Sequence, residues 1–147
     1  MTSDEKNLAL ANALEPILTC CGLNPSTATE TQDDRTIAKM IRLSQKWGYS
    51  GLRMVNLFAF RATDPKEMLA AEDPVGPENS VDFLAAESVD FLCAWGADGN
   101  HRGRSVQVLA AIRIRFPNVK TYALKVNQNG SPAHPLYLPE SLTMKEY

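Results

Sequence analysis

A chain of 147 residues, 44 % apolar and 22 % charged, has the length and composition of one soluble globular domain with a core two or three layers deep. No apolar run reaches membrane-spanning length, and Met1 to Lys6 hold no basic leader ahead of an apolar block, so a cytoplasmic protein is expected. A net charge of −2 and a pI near 5.7 argue against the broad basic face of a duplex-DNA binder, so any positive potential must be local.

Taken in order, Asp4 to Leu14 reads as a short amphipathic helix with Leu8, Ala11 and Leu14 on one side. Ile17 to Leu23 is a strand apolar on both faces, which suits the centre of a covered parallel sheet. It breaks into Asn24-Pro25-Ser26-Thr27. Pro25 keeps Asn24 extended at the lip of the strand, and the hydroxyls can satisfy nearby amides. Asp33 or Asp34 is then expected to cap a helix with Ile37, Met40, Ile41 and Trp47 on one face, stopped by Gly48.

A second strand runs from Leu52 to Phe58. Asp64-Pro65 supplies a cap and a first-position proline for a short helix through Leu69. Pro74, Gly76 and Pro77 interrupt it before a helix carrying Val81, Leu84 and Ala85. The third strand is Val89 to Trp95. A polar loop, Asp98 to Arg104, leads to a helix with Val106, Leu109, Ala110 and Ile112 or Arg113 at periodic positions. The fourth strand is Val119 to Lys125, followed by the loop Asn127 to Pro135.

This alternation predicts a three-layer α/β/α sandwich around a mostly parallel four-stranded sheet, one domain over residues 1–147. Parallel strands end on one edge. That edge receives Asn24, Ser26, Asn56, Arg61, His101, Arg102, Arg104, Asn127 and His134. In open α/β sheets ligands sit outside these strand ends. Loops are polar in any case, but asparagines directly after strands and both histidines on one rim favour a site. Asn24 and His134 are the catalytic candidates; Ser26, Asn56, Arg61, His101 and Arg102 are the binding candidates.

The amide of Asn56 offers a donor and an acceptor, the pattern of a nucleobase edge. Arg61, or His101 with Arg102 and Arg104 near a helix start, could hold phosphate, and each could equally be surface charge. His134, held before Pro135, could donate to an anionic leaving group. Trp47 and Trp95 fit the core, and Cys20, Cys21 and Cys93 read as buried free thiols without zinc-ligand spacing. No phosphate loop, dinucleotide fingerprint or nucleophile elbow is present, and no cofactor or metal is expected.

Several blocks together resemble a family of bacteria and their phages, domain of unknown function 1643. They are Leu23-Asn24-Pro25-Ser26-Thr27-Ala28, Trp47-Gly48-Tyr49, Val55 to Pro65, Asp73 to Asn79, Ala94-Trp95-Gly96 and His134 to Leu138. The resemblance covers Leu18 to about Pro139. More distantly, Gly22-Leu23-Asn24-Pro25 is similar to a motif of the uracil-DNA glycosylase superfamily, whose four-stranded parallel sheet lies between helical layers. Val55-Asn56-Leu57 and His134-Pro135 are similar to two more of its motifs. That likeness implies an N-glycosidic hydrolase in which Asn24 positions water, Asn56 reads the base and His134 supports the departing base. The alternative is a non-catalytic module for a nucleotide, single-stranded nucleic acid or a protein. The partners implied are a nucleobase, a nucleotide or a single strand, and no membrane.

Overall fold

A computed structural model describes residues 2–3, 16–26 and 31–147. The helix expected over Asp4 to Leu14 lies outside the described residues, as do Thr27 and Ala28 of the first turn. The sheet has five strands: β1 (Ile17–Gly22), β2 (Gly51–Asn56), β3 (Asp90–Cys93), β4 (Lys120–Ala123) and β5 (Lys145–Glu146). Their order is β2-β1-β3-β4-β5, with the first four parallel and β5 antiparallel to β4.

The expected four-stranded sheet is therefore corrected to five. The fifth strand is two charged residues with no apolar alternation. It is held because the Tyr147 amide donates to the Thr121 carbonyl at 3.0 Å and the Thr121 hydroxyl donates to the Tyr147 carbonyl at 2.8 Å.

Among the described residues there are four α-helices: α1 (Thr31–Lys46), α2 (Pro65–Ala70), α3 (Val81–Ala85) and α4 (Arg104–Arg115). Each central strand feeds two cores, because successive side chains point to opposite faces. Leu18, Cys20, Leu92 and Ala94 pack with Met40 and Leu43 of α1. Cys21, Phe91 and Cys93 pack with Met68, Leu84, Val108 and Ile112 from the other three helices. Helices thus cover both faces, and the strand ends stay open.

Several boundaries shift from the expected ones. α1 begins at Thr31, so Asp33 and Asp34 fall inside its first turn rather than at its cap. Its buried face runs through Met40 and Leu43, whereas Ile37 and Ile41 remain 41 % and 43 % exposed. The polar residues Thr36, Lys39 and Ser44 complete the buried side, and the Ser44 hydroxyl satisfies itself on the Ile41 carbonyl at 2.9 Å. In α4 the buried positions are Ser105, Val108, Leu109 and Ile112, while Val106 faces solvent. The polar loop before α4 coils into 3-10 turns over Ala97–Gly103. The cap of α2 is as expected: Asp64 Oδ1 accepts from the Lys66 amide at 3.0 Å, with Pro65 at the first position.

All three cysteines are buried free thiols. Burial pushes Cys20 up to about 12 and raises Cys21 and Cys93 as well, because a thiolate has no solvation in either core. The folded chain therefore holds these protons more tightly than the unfolded chain, whose thiols titrate near 8.5. The stability tied to them is intact below that pH and falls as pH rises towards the folded values. A urea midpoint that declines between pH 8 and 10 is expected, with no native thiol reacting with Ellman's reagent at pH 8. A fast-reacting thiol in the native protein would contradict this.

Candidate functional site at the exits of β1 and β2

The backbone pairing of β1 with β2 continues past both strands. The amides of Leu57 and Phe58 donate to the carbonyls of Gly22 and Leu23 at 3.0 and 2.9 Å, and the Ala62 amide donates to the Pro25 carbonyl at 2.9 Å. Pro25 has no proton to give, but its carbonyl is available. On the far side, Ala59 and Phe60 donate to Val75 and Pro74. The segment 57–62 is thus held between two neighbouring stretches.

Asn24 sits at the centre of this ladder. Its Nδ2 donates to the carbonyls of Ala62 at 3.0 Å, and of Phe60 and Pro25 at 3.2 Å each. Three carbonyls around one terminal atom can be served by the nitrogen alone, which fixes the amide orientation. Oδ1 is left turned away from them as an acceptor. Ser26 and Arg61 belong to the same cluster. The Ser26 hydroxyl meets that of Thr63 at 3.1 Å, and Arg61 Nη1 donates to the Ser26 carbonyl at 2.7 Å.

Asn56 ends β2 opposite Gly22. A side chain at Gly22 would place its Cβ 2.9 Å from Asn56 Oδ1, so the Asn56 amide lies directly over the glycine. That amide is half-buried and has no hydrogen-bond partner among the described residues, whereas the Asn56 carbonyl accepts from Asn79 Nδ2 at 3.0 Å. Gly22→Ala is expected to displace the Asn56 side chain, the movable partner in that contact. Ligand-induced stabilisation should fall by roughly tenfold in affinity, with a stability change within about 1 kcal/mol. Unchanged ligand affinity in a folded Gly22→Ala protein would remove Asn56 from the site.

Of the remaining candidates, His101 reaches this segment through Phe58, and Arg102, Asn127 and His134 make contacts elsewhere. Arg102 has φ 54° and spends both guanidinium nitrogens on the carbonyls of Glu72 and Ala71, at 2.8 and 2.9 Å, just past the end of α2. His101 packs its ring against Phe58, with centroids 5.9 Å apart, and its buried Nε2 has no partner among the described residues. Asn127 Nδ2 closes its own turn on the Ser131 hydroxyl at 3.0 Å. His134 is exposed, and its Nδ1 accepts from the Leu136 amide at 3.2 Å, which places the proton of the neutral ring on Nε2. The exits of β3 and β4 are tied together by the Gly96 amide on the Pro132 carbonyl at 2.9 Å.

Two residues hold the site in place, one of them, Asn79, not singled out by the sequence and the other, Arg104, expected at most to hold phosphate. Asn79 is buried and gives its Nδ2 to both Asn56 and Leu57 carbonyls at 3.0 Å. Arg104 is 5 % exposed; its Nε donates to the Leu57 carbonyl at 3.0 Å and its Nη2 to the Asn79 carbonyl at 2.6 Å. Burial lowers the Arg104 pKa, since no carboxylate faces it among the described residues. The sequence signal available was weak: an asparagine closing the Pro74 to Asn79 block, and an arginine at a helix start.

A family model for proteins of unknown function, DUF1643, matches residues 8–136. The chain belongs to that family. No curated protein and no solved structure matches it. Within this DUF1643 chain the matched span contains Asn24, Asn56, Asn79, Arg104 and His134, so the whole ladder and its support are family territory. Among the described residues no three His, Cys, Asp or Glu side chains come together as a metal site. No described helix is long and apolar enough to cross a membrane.

Proposed function

We propose that the exits of β1 and β2 form a nucleobase-binding cleft, and that the DUF1643 chain is an N-glycosidic hydrolase distantly related to uracil-DNA glycosylases. The observation that carries this reading is the pair of asparagines: Asn24, anchored through its nitrogen with its oxygen left as an acceptor, and Asn56, whose amide has no hydrogen-bond partner among the described residues. An anchored acceptor can orient a water towards the anomeric carbon. The free amide matches the paired donor and acceptor of a base edge.

In that reaction the water oxygen bonds to the anomeric carbon, the carbon–nitrogen bond breaks, and the base takes the electron pair. One water proton stays on the new sugar hydroxyl, and the other, released to solvent, is matched by the proton the departing base takes up. The Nε2 proton of His134 is a suitable donor for the departing anion. Arg61, exposed and tethered to the Ser26 carbonyl, has donors left for phosphate.

A binding module without turnover is the second reading. It is favoured by the carboxylate nearest the ladder in sequence, Asp64, which is spent capping α2. Oligonucleotides carrying uracil, hypoxanthine or mismatched thymine, incubated with the protein and then treated with alkali, separate the two. Strand cleavage at the modified base is the result expected of a hydrolase. Thermal stabilisation by nucleotides without cleavage would give the binding module precedence, and neither effect would remove both.

A further inference from the structure

A groove of about 340 Å³ runs beside α1, with Arg35, Lys39 and Arg42 on one side and Leu136, Tyr137 and Glu140 on the other. Arg35 lies in the second turn of α1, the helix that follows β1, and Leu136 follows His134 by two residues. One wall of the groove thus belongs to the helix that leaves the β1 exit, and the other to the turn that follows His134. Tyr137 is 77 % exposed. Its turn is nonetheless closed at every backbone position around it. Lys39, itself buried, donates from Nζ to the carbonyls of Leu136 and Leu138, the residues on either side. The Leu136 amide is taken by His134 Nδ1 and the Leu138 amide by the Pro135 carbonyl at 3.1 Å. With Leu138 packed against the core under α1 and Leu136 half-buried at the groove wall, Tyr137 is presented outward on a held backbone.

The charges beside the ring are unbalanced. Arg42 gives Nε and Nη2 to Glu140 Oε1 at 3.1 and 2.9 Å, so those two groups answer each other. Arg35 is in no ion pair among the described residues, and two of the three Lys39 ammonium protons are used on carbonyls. Two cations one helical turn apart and a rigid aromatic face are the repeating needs of a single strand, phosphate then base. An acidic peptide would use the charges and leave the ring idle.

Resting on the reading of the cleft as a nucleobase site, we propose that this groove takes the neighbouring nucleotide of a single-stranded polynucleotide, with its phosphate between Arg35 and Lys39 and its base on Tyr137. The substrate class is then a strand, DNA or RNA, rather than a free nucleotide.

Fluorescence anisotropy with unmodified oligothymidylate and oligouridylate of about 12 nucleotides, over a KCl series, tests this. Tyr137→Ala is expected to weaken binding about tenfold, and Tyr137→Phe to keep it, since stacking needs the ring and not the hydroxyl. Arg35→Ala should weaken binding and reduce the slope of log affinity against log salt by about 0.7. Both side chains are exposed, so melting temperatures should stay close to that of the native chain.

No binding of either oligomer by the folded protein would overturn the proposal, as would equal affinities for Tyr137→Ala and Tyr137→Phe. Equally tight, Tyr137-dependent binding of a polyglutamate peptide would overturn it in favour of a protein partner. Strand binding lost in Asn56→Ala but indifferent to Tyr137→Ala and Arg35→Ala would keep the cleft and sink the groove. Tyr137-dependent binding untouched by Asn56→Ala would keep the groove and sink the cleft.

Discussion

Arg104→Met is expected to lower the unfolding free energy by about 3 kcal/mol, read as a shifted urea midpoint at unchanged slope. Methionine replaces much of the volume of the side chain but none of its donors. The buried Asn79 carbonyl would lose its 2.6 Å donor and the Leu57 carbonyl would keep only Asn79 Nδ2, and a buried group left unsatisfied costs about 1–3 kcal/mol. Arg104→Lys should fall between, because one ammonium cannot reach both carbonyls in the planar geometry of the guanidinium. The damage should spread to the cleft, since Asn79 also holds the Asn56 carbonyl. A loss below about 1 kcal/mol would mean that water replaces the guanidinium.

Asn24→Ala is expected to lower base release at least 100-fold and also to cost about 1–2 kcal/mol of stability. The second effect follows from the anchoring: the Phe60 and Ala62 carbonyls lose this donor, and the Pro25 carbonyl keeps only the Ala62 amide. Faster amide exchange at Ala62, whose proton goes to the Pro25 carbonyl, should accompany it. Asn24→Asp keeps an oxygen for water but turns a carboxylate against those carbonyls, so it should be the less stable of the two. A native rate of base release in either variant would take Asn24 out of the chemistry and leave it as the pin of the ladder.

The strands of the sheet were legible because Leu18 to Cys21 and Phe91 to Ala94 are apolar on both faces, the mark of a covered parallel sheet. Their ends were read too long for a physical reason. Leu57 and Phe58 are fully buried yet lie beyond β2, because the chain leaves the regular pairing and still runs through the core. Hydropathy reports burial, and strand assignment needs pairing. β5 failed in the opposite sense: Lys145 and Glu146 are exposed and charged, and their pairing depends on where Tyr147 is tied.

Asn24 and Asn56 stood out because each follows an apolar run at a predicted strand end. Asn79 did not, and Arg104 stood out only as a possible phosphate holder, because their partners lie 22 to 47 residues away and no local pattern records such contacts. Lys39 was invisible for a related reason, as a lysine on a helix ordinarily reads as solvated charge rather than the clamp of a distant turn.

The ladder that joins the exits of β1 and β2 is made of main-chain groups on both rails, with Asn24 as its side-chain rivet. The rails themselves therefore do not depend on the identity of the side chains at Ser26, Arg61 and Thr63, which also contact one another. If the cleft binds as proposed, for engineering or for divergence within the family those three positions are where a different ligand would be selected while the main-chain rails keep their form. A library randomised at 26, 61 and 63 should fold as readily as the parent chain and differ from it in what it holds.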